Sequence, residues 1–353
     1  MHFEPLTHEA LVVRRGRRSG LYTIVAVHST ARGPSLGGCR MWTYADTREA
    51  VRDALRLSRA MTSKSAVAGL PLGGGKGVIM LPAGSAAPDG DVRRAVLLDF
   101  ADTVDMLDGQ YLTAEDVGTS EPDMETIAEN TRYVTGLSTE GGGSGDPSPW
   151  TALGVEAAIR VACERVFGTT SLEGRRVAVV GVGHVGGRLA ELLADGGAEL
   201  VLADIDDRRR GLADRLAAEW TDPASALTAD VDVLAPCALG GVLDEALVPR
   251  LRARAIAGAA NNQLAHESVG ELLAERGILW VPDFIANAGG VVNIAVELEP
   301  EGYDTDRAEL RVRAIADTVR AVLDHADAAE TTPLEAANEI ARRRVDEAAS
   351  AAA

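Results

Sequence analysis

The sequence lacks the features that mark disulfide-bonded, metal-binding and membrane proteins. Its cysteines, at positions 39, 163 and 237, form no C-x-x-C pair, so neither a disulfide framework nor a thiolate metal site is indicated. No apolar run reaches the ~18 residues of a membrane span, and the N-terminus has no signal-peptide core. The histidines form no i, i+4 pair and no H-E-x-x-H motif, and we interpret them as surface or packing residues: His2, His8, His28, His184, His266 and His325. We therefore expect a cytoplasmic protein without a metal.

Positive charge is also scarce. The 35 Lys and Arg residues are outnumbered by 53 Asp and Glu, which gives a formal net charge of −18 at pH 7. Binding to nucleic acid needs a basic face that displaces counterions, so a nucleic-acid partner is disfavoured. The length of 353 residues allows two domains, and 46% hydrophobic residues is an ordinary globular composition. A two-domain enzyme acting on a small molecule is the starting hypothesis.

Glycine, by contrast, is abundant, and three glycines stand together in MTSKSAVAGLPLGGGK, residues 61–76. They cost backbone entropy and add no packing, so something must approach this backbone closely or force it into unusual φ and ψ angles. The preceding segment, DTREAVRDALRLSRAMTSK, predicts a helix that starts in a capping box and places Lys64 just past its C-terminus. GVIML predicts a short strand, so Lys76 is expected where a loop enters a sheet. A Walker A motif that ends at Lys76 would need glycine at position 70 and serine or threonine at position 77, but the chain has Leu70 and Gly77.

Two interpretations of these lysines are open. Most lysines are solvated surface charges. Alternatively, a charged lysine can bind a substrate carboxylate, whereas a partly desolvated one near another cation can have its pKa lowered to roughly 7–8 and act as a base. Asp116, in TAEDVGT, follows a predicted strand and is either a carboxylate for proton exchange or a turn-capping residue.

A hinge is predicted at STEGGGSGDPSP, residues 138–149, with Ser148 as the N-cap of the next helix. Beyond residue 175, short apolar runs alternate with helical segments, the pattern of a doubly wound parallel sheet. The predicted fold is α/β with two domains: an α/β substrate domain at 1–137 and a Rossmann-type dinucleotide-binding domain at 138–325. A C-terminal helical segment at 326–353 is expected to pack back on the first domain, and the active site is expected in the cleft between the domains.

A G-x-G-x-x-G fingerprint, at Gly181, Gly183 and Gly186, directly follows the predicted strand VAVV and opens a helix. In this context the first glycine permits a tight turn, the second lets the backbone reach a pyrophosphate, and the third lets helix and strand pack closely. Asp204 ends the next strand, where its carboxylate can accept hydrogen bonds from a ribose. The alternative is a βαβ turn in a sheet that binds nothing.

The charges after this strand favour NAD over NADP. Asp204, Asp206 and Asp207 would repel a 2′-phosphate, whereas Arg208, Arg209 and Arg210 would attract one. We predict NAD as the cofactor.

Together these blocks resemble the Glu/Leu/Phe/Val amino-acid dehydrogenase family, and most closely its leucine, valine and phenylalanine branch. The resemblance is carried, in the family's order from about residue 33 to about 296, by GPSLGGCRMW, MTSK, GLPLGGGKGVI, TAEDVGT, GVGHVG, APCALGG, GAANNQLA and PDFIANAGGVVN. It implies reversible, NAD-dependent oxidative deamination of an L-amino acid to a 2-oxo acid and ammonium, by a homo-oligomer.

The resemblance also implies residue roles. Lys64 would hold the substrate carboxylate, Lys76 would be the catalytic base, and Asp116 would exchange protons with the amine. Further residues would contact the substrate: Leu36, Gly37, Gly38, Ala114, Asn262, Val291 and Ile294. The cofactor would be bound by Gly181, Gly183, His184, Val185, Gly186, Asp204, Thr151, Cys237, Ala238, Asn261 and Asn287. Two positions depart from the family pattern: Cys39 replaces a threonine, and Ser63 replaces a tyrosine or leucine.

The expected substrate follows from Leu36. In the glutamate branch a lysine at this position holds the side-chain carboxylate, and an apolar residue would leave that carboxylate unpaired at a cost of several kcal/mol. The other pocket positions, Ala114, Val291 and Ile294, are aliphatic. We therefore predict leucine, valine and isoleucine as substrates, with phenylalanine as the alternative. A 2-hydroxy-acid dehydrogenase and a non-enzymatic NAD-binding regulator are hypotheses from other classes.

Overall fold

A computed structural model of the chain describes residues 6–352, so His2 lies outside the described residues. The chain divides into two compact units. The first comprises the chain up to Asp146 together with Ile294–Asp304 and the stretch from Ala341, and the second comprises Pro147–Asn293 and Thr305–Ile340. The first change of unit falls within the predicted hinge. The chain then re-enters the first unit twice, and a linear division at 137/138 and 325/326 does not describe these returns.

The first unit is built on a five-stranded mixed sheet. Its strands are β1 (Ala10–Arg15), β2 (Tyr22–Ser29), β3 (Ser35–Thr43), β4 (Gly73–Leu81) and β5 (Tyr111–Glu115). They lie in the order β1-β2-β4-β3-β5, with β2 antiparallel to both of its neighbours and β3 parallel to both of its own. The helices that follow its strands are α1 (Thr47–Val67), α2 (Gly90–Asp105) and α3 (Glu121–Ala128).

The glycine run belongs to strand β4 itself, which corrects two expectations. A Cβ at Gly74 would lie 2.1 Å from the backbone nitrogen of Thr62 in α1, and one at Gly75 would lie 2.5 Å from the Tyr111 ring. Close approach from other parts of the unit, rather than unusual backbone angles, therefore requires the glycines. Lys76 lies inside a strand rather than at its entrance, and Lys64 lies in the last turn of α1 rather than past it.

The second unit contains a six-stranded parallel sheet. Its strands are β6 (Arg176–Val180), β7 (Glu199–Ala203), β8 (Glu219–Thr221), β9 (Val233–Pro236), β10 (Ala255–Ile256) and β11 (Leu279–Trp280). Their order, β11-β10-β9-β6-β7-β8, is the doubly wound order of dinucleotide-binding domains, with the first strand central and the direction of winding reversed beside it. The predicted α/β fold with a Rossmann-type sheet is confirmed.

The remaining helices accompany this sheet and continue to the C-terminus. They are α4 (Ser148–Phe167), α5 (His184–Asp195), α6 (Arg210–Arg215), α7 (Pro223–Leu227), α8 (Ser268–Glu275), α9 (Asp283–Ala286), α10 (Gly289–Glu297), α11 (Thr305–Arg313), α12 (Ile315–Ala329) and α13 (Pro333–Ala352). Helix α4 begins one residue earlier than predicted, because Thr151 N donates to Pro147 O (2.9 Å) and makes Ser148 the first helical residue. Within residues 6–352, no helix is long and apolar enough to cross a membrane.

Candidate active site

A buried ion pair lies at the centre of the first unit. Lys76 occupies the middle of β4, between β2 and β3, and is 5% exposed. Its Nζ lies 2.7 Å from Oδ2 of Asp116, which directly follows β5 and has a side chain that is 24% exposed. Two residues that are 40 positions apart in sequence thus meet because β4 and β5 flank the same strand, β3.

The Asp116 carboxylate does not cap its own turn. The turn is closed by Thr119, whose backbone N–H donates to Asp116 O (2.9 Å) and whose hydroxyl accepts from Asp116 N (3.0 Å) and donates to Cys39 O (2.8 Å). The carboxylate instead accepts from Arg40 Nε (2.9 Å) on the oxygen, Oδ2, that also faces Lys76. Burial alone would raise the pKa of Asp116, but the two cations outweigh it and hold this pKa below its ordinary value. Asp116 is therefore a carboxylate at neutral pH.

Arg40 and its partners were missed from the sequence. Arg40 Nη1 donates to Asp53 Oδ2 (3.0 Å) in α1, and the same oxygen accepts from the Tyr44 hydroxyl (2.8 Å). Arg56 Nη2 donates to the other oxygen of Asp53 (2.8 Å). The available signal was a charged residue within a predominantly buried strand, between Cys39 and Met41.

Lys64 lies on α1, about three turns beyond Asp53 on the same helix face. The last turn of α1 is fixed from the far end of the chain, because Arg344 Nη1 donates to the carbonyls of Ala66 (3.0 Å) and Val67 (2.7 Å). Lys64 and Lys76 are the only lysines among the 35 Lys and Arg residues of the sequence. Arginine cannot be deprotonated in proteins, so lysine is the residue to expect where a cation must lose a proton.

The paired glycines of β3 bring three strands close together beside the ion pair. A Cβ at Gly37 would lie 1.8 Å from Gly75 O, and one at Gly38 would lie 2.7 Å from Asp116 Cβ. The neighbouring Cys39 is fully buried, and burial raises the pKa of its thiol well above the ordinary value, so this thiol is not a nucleophile. Leu36, 1% exposed, and the buried Ala114 supply apolar side chains to this part of the unit.

The glycine fingerprint of the second unit has the predicted geometry. Gly181 has φ +97°, a conformation that favours glycine, and a Cβ at Gly186 would lie 1.9 Å from Gly181 O. Among the described residues, no atom outside its immediate chain neighbours lies within 4 Å of a Cβ built on Gly183. Helix α5 begins at the next residue, His184, followed by Val185, so its first backbone N–H groups adjoin this open position. The turn therefore fits a pyrophosphate group.

Asp204 lies at the end of β7 against this turn. Its Oδ2 accepts from Val182 N (2.8 Å) and its Oδ1 from Asp206 N (2.9 Å). Arg208 pairs with Asp206 through both side-chain oxygens (2.8 Å each). A cavity of about 380 Å³ adjoins the turn and is lined in part by Gly183, His184, Arg188, Arg208, Arg209 and Arg215. The acidic and the basic side chains that the sequence places after β7 therefore both lie near the glycine fingerprint.

The other residues proposed for cofactor binding lie in the second unit. Ala238 and Cys237 directly follow β9. Ala238 lies against Gly181, which directly follows β6, and Cys237 lies against Gly186 in α5. Asn287 Nδ2 donates to Asn261 Oδ1 (2.8 Å). Thr151 lies in the first turn of α4, with its hydroxyl bonded to Pro147 O (2.9 Å).

The remaining predicted substrate residues are distributed between the units. Asn262 has φ +53° and belongs to the second unit. Val291 and Ile294 lie three residues apart on α10, both 8% exposed, and the division between the units falls between them. Ser63, one of the two departures from the family pattern, precedes Lys64 in α1.

Together the doubly wound sheet and its glycine turn with an adjoining carboxylate have the features of a dinucleotide-binding domain, and the same chain carries a buried lysine–carboxylate pair in its first unit.

Comparison with known proteins identifies the family: the chain belongs to the Glu/Leu/Phe/Val dehydrogenase family. Residues 7–133 match the model of the Glu/Leu/Phe/Val dehydrogenase dimerisation domain, and residues 202–352 match that of the glutamate/leucine/phenylalanine/valine dehydrogenases. The resemblance inferred from the motifs is confirmed. Because the family consists of amino-acid dehydrogenases, the 2-hydroxy-acid dehydrogenase and the non-enzymatic regulator are set aside.

Three similar proteins illustrate the range of the family. The chain is 43% identical to a leucine dehydrogenase from Thermoactinomyces intermedius, covering 98% of this chain and 93% of the relative. It is 43% identical to a valine dehydrogenase from Streptomyces virginiae, covering 98% and 96%. Among solved structures, an L-tryptophan dehydrogenase from Nostoc punctiforme has a TM-score of 0.83 at 35% identity, covering 97% of each chain.

Proposed function

We propose that this protein catalyses the reversible, NAD-dependent oxidative deamination of a branched-chain L-amino acid, leucine, valine or isoleucine, to the 2-oxo acid and ammonium. The observation that carries the proposal is the buried Lys76–Asp116 pair, with Nζ and Oδ2 2.7 Å apart, in a chain that resembles leucine and valine dehydrogenases over 98% of its length.

In this proposal Lys64 holds the substrate carboxylate and remains charged. NAD supplies the acceptor for the hydride that leaves the substrate Cα. Asp116 takes a proton from the substrate ammonium group, so that loss of the hydride gives an iminium carbon. Lys76 in its neutral form, with Nζ 2.7 Å from Asp116, draws a proton from the water that attacks this carbon and afterwards loses that proton to solvent. Asp116 returns its proton to the amino nitrogen, the C–N bond breaks, and the hydroxyl proton passes to the departing ammonia, which is released as ammonium.

NAD is proposed to bind the second unit at the Gly181–Gly186 turn, with Asp204 accepting from the adenosine ribose. The open position at Gly183 and the start of α5 support this placement. NAD is favoured over NADP because Asp204 lies at the turn itself, whereas Arg208 is already paired with Asp206. The remaining cofactor contacts proposed are His184, Val185, Cys237, Ala238, Asn261, Asn287 and Thr151.

An aliphatic substrate is favoured by the side chains proposed to surround it. Leu36 and Ala114 are buried and apolar, as are Val291 and Ile294, so a glutamate side chain would lose its hydration without gaining a partner. Gly37, Gly38 and Asn262 are proposed to complete the substrate contacts. An aromatic amino acid is the second candidate, because a structural relative at 35% identity is an L-tryptophan dehydrogenase.

We further propose that the protein is a cytoplasmic homo-oligomer. The match of residues 7–133 to a dimerisation domain supports self-association. Three free cysteines, two of them buried, suit a reducing compartment.

The test is a panel of kcat/KM values for valine, leucine, isoleucine, phenylalanine and glutamate with NAD. We expect the three branched-chain substrates to lie within about 200-fold of one another, because a methylene in an apolar pocket is worth only about 1–3 kcal/mol. Preference for phenylalanine would establish the aromatic alternative. Preference for glutamate would overturn the role of Leu36.

A further inference from the structure

The Asp116 carboxylate is held in an asymmetric way. Among the described residues, both of its side-chain contacts, from Lys76 Nζ (2.7 Å) and Arg40 Nε (2.9 Å), fall on Oδ2. An acid that exchanges protons with a substrate amine needs one oxygen directed at that amine. The two cations leave Oδ1 as that oxygen.

Arg40 is itself fixed by a second carboxylate. Its Nη1 donates to Asp53 (3.0 Å), so one guanidinium spans two carboxylates through two different nitrogens. Asp53 is held in turn by the Tyr44 hydroxyl and by Arg56. The planar, multiply donating guanidinium can bridge in this way, whereas an ammonium group is a point charge without that geometry.

We propose that Arg40 is a positioning residue for the reaction: it keeps Asp116 ionised, directs Oδ1 away from Lys76, and is anchored for this purpose by Asp53. This role rests on the proposed function of Asp116. It also links the two ends of the site, because Asp53 and Lys64 share one face of α1 about three turns apart, so the helix that carries the proposed carboxylate clamp also anchors Arg40.

Other titratable groups face this cluster from neighbouring elements. They are Cys39 on β3, Glu115 on β5, Arg93 on α2 and Asp123 on α3. Within residues 6–352, none of these four side chains hydrogen-bonds to the Asp116 carboxylate, and Arg93 is paired with Asp123 (2.6 Å). Among the residues that the structure describes, loss of Arg40 would therefore leave Lys76 as the only cation in contact with Asp116.

The experiment is the pH dependence of kcat/KM for L-leucine with NAD. In Arg40→Gln the loss of a cation beside the Lys76–Asp116 pair should make this pair take up its proton at higher pH, and the acid limb of the profile should move to higher pH by about 1–2 units, the usual effect of an adjacent arginine. Arg40→Lys keeps the charge but not the bridge, so its acid limb should stay within about 0.5 unit of the parent while kcat falls about tenfold.

Arg94→Gln is the matched control, because it breaks a solvent-exposed ion pair with Glu129 in the same unit and should leave the profile unchanged. Asp53→Asn keeps an oxygen that accepts from Arg40 Nη1, so the anchor is retained, but it removes a negative charge from the other side of Arg40, so its acid limb should move to lower pH, by less than about one unit. This variant keeps the proposal falsifiable if Arg40→Gln does not fold, as judged by its melting curve.

An active parent whose Arg40→Gln variant keeps the parental acid limb would overturn the role of Arg40 alone, and so would an upward shift in Asp53→Asn. A parent that forms no NADH from any amino acid would overturn the proposed function and this role with it.

Discussion

The two regions proposed to carry the chemistry are constructed in opposite ways. The ion cluster of the first unit consists of side chains from β3, β4, α1 and the turn after β5, brought together by the sheet order. The Gly181–Gly186 turn of the second unit consists of consecutive residues, and the close approach and open space that its three glycines allow are its main feature. The ion cluster depends on charged side chains, and the glycine turn depends on backbone N–H groups and on the open position at Gly183.

This difference determines which substitutions each region tolerates. In the ion cluster, a change of charge alters protonation while the backbone stays in place. In the turn, a single added methyl group meets either another backbone or a bound group, so its effect depends on position within a few residues. Three measurements test this contrast.

The largest effect is expected from a series of Gly→Ala substitutions in the Gly181–Gly186 turn and the first turn of α5. At Gly186 the new methyl would lie 1.9 Å from Gly181 O, so Gly186→Ala should lower the melting temperature severely. At Gly183 the methyl meets no other protein group among the described residues, so Gly183→Ala should fold normally but weaken NADH binding about 50-fold by blocking close approach of the pyrophosphate.

Gly187→Ala is the matched control of this series. Its methyl would make only ordinary contacts, at 3.4 Å and beyond, so both stability and NADH affinity should stay near the parent. Unchanged NADH affinity in Gly183→Ala would show that the turn does not approach the cofactor as proposed.

A smaller effect is expected for the choice of cofactor. We expect kcat/KM for NAD to exceed that for NADP about 20-fold. Repulsion between the Asp204 carboxylate and the 2′-phosphate of NADP costs several kcal/mol, and attraction of this phosphate to Arg208 and Arg209 offsets part of that cost. Asp204→Asn should narrow the ratio, whereas Asp195→Asn, an exposed change at the end of α5, should not. Equal use of both cofactors by the parent would show that the arginines of the adjoining cavity dominate.

The smallest effect is expected at the C-terminus of α1. Arg344 donates to carbonyls of this helix from a position 278 residues away from Ala66, and Lys64 is in the same turn. Arg344→Ala should raise KM for the amino acid about fivefold, the equivalent of about one kcal/mol, the net contribution of a typical hydrogen bond, and leave KM for NAD unchanged. The exposed neighbour in Arg343→Ala is the control. Equal increases in both KM values would indicate general loosening of the fold.

The same contrast explains what could be predicted from the sequence. The glycine turn was predicted residue by residue, because strand, turn, helix and acid follow one another in the chain and each position has a local physical reason. The short strand β8 was not predicted, since three residues carry too little periodicity. The alternation of the remaining strands gave the doubly wound sheet.

The ion cluster could be predicted only in part. Lys76 and Asp116 were identified by motif resemblance, but their contact depends on the strand order, which the sequence does not state. Arg40 and Asp53 were missed because a charged residue in a strand or on a helix is normally exposed to solvent. The glycines before Lys76 were expected in a loop. Their contacts in the folded chain are with Thr62 of α1 and Tyr111 of β5, and the order of residues does not reveal that these elements pack against β4.

The central claim is that the two lysines have different tasks, one as a lasting charge and the other as a base, and arginine substitution separates them because arginine keeps its charge but cannot give up a proton. The most direct measurement is kcat with L-leucine for Lys64→Arg and Lys76→Arg, together with NADH affinity as evidence of an intact fold. We predict that Lys64→Arg retains kcat within about tenfold of the parent, whereas Lys76→Arg loses about 10³-fold with NADH affinity unchanged. A Lys76→Arg enzyme with kcat within about tenfold of the parent would contradict the assignment of Lys76 as the base.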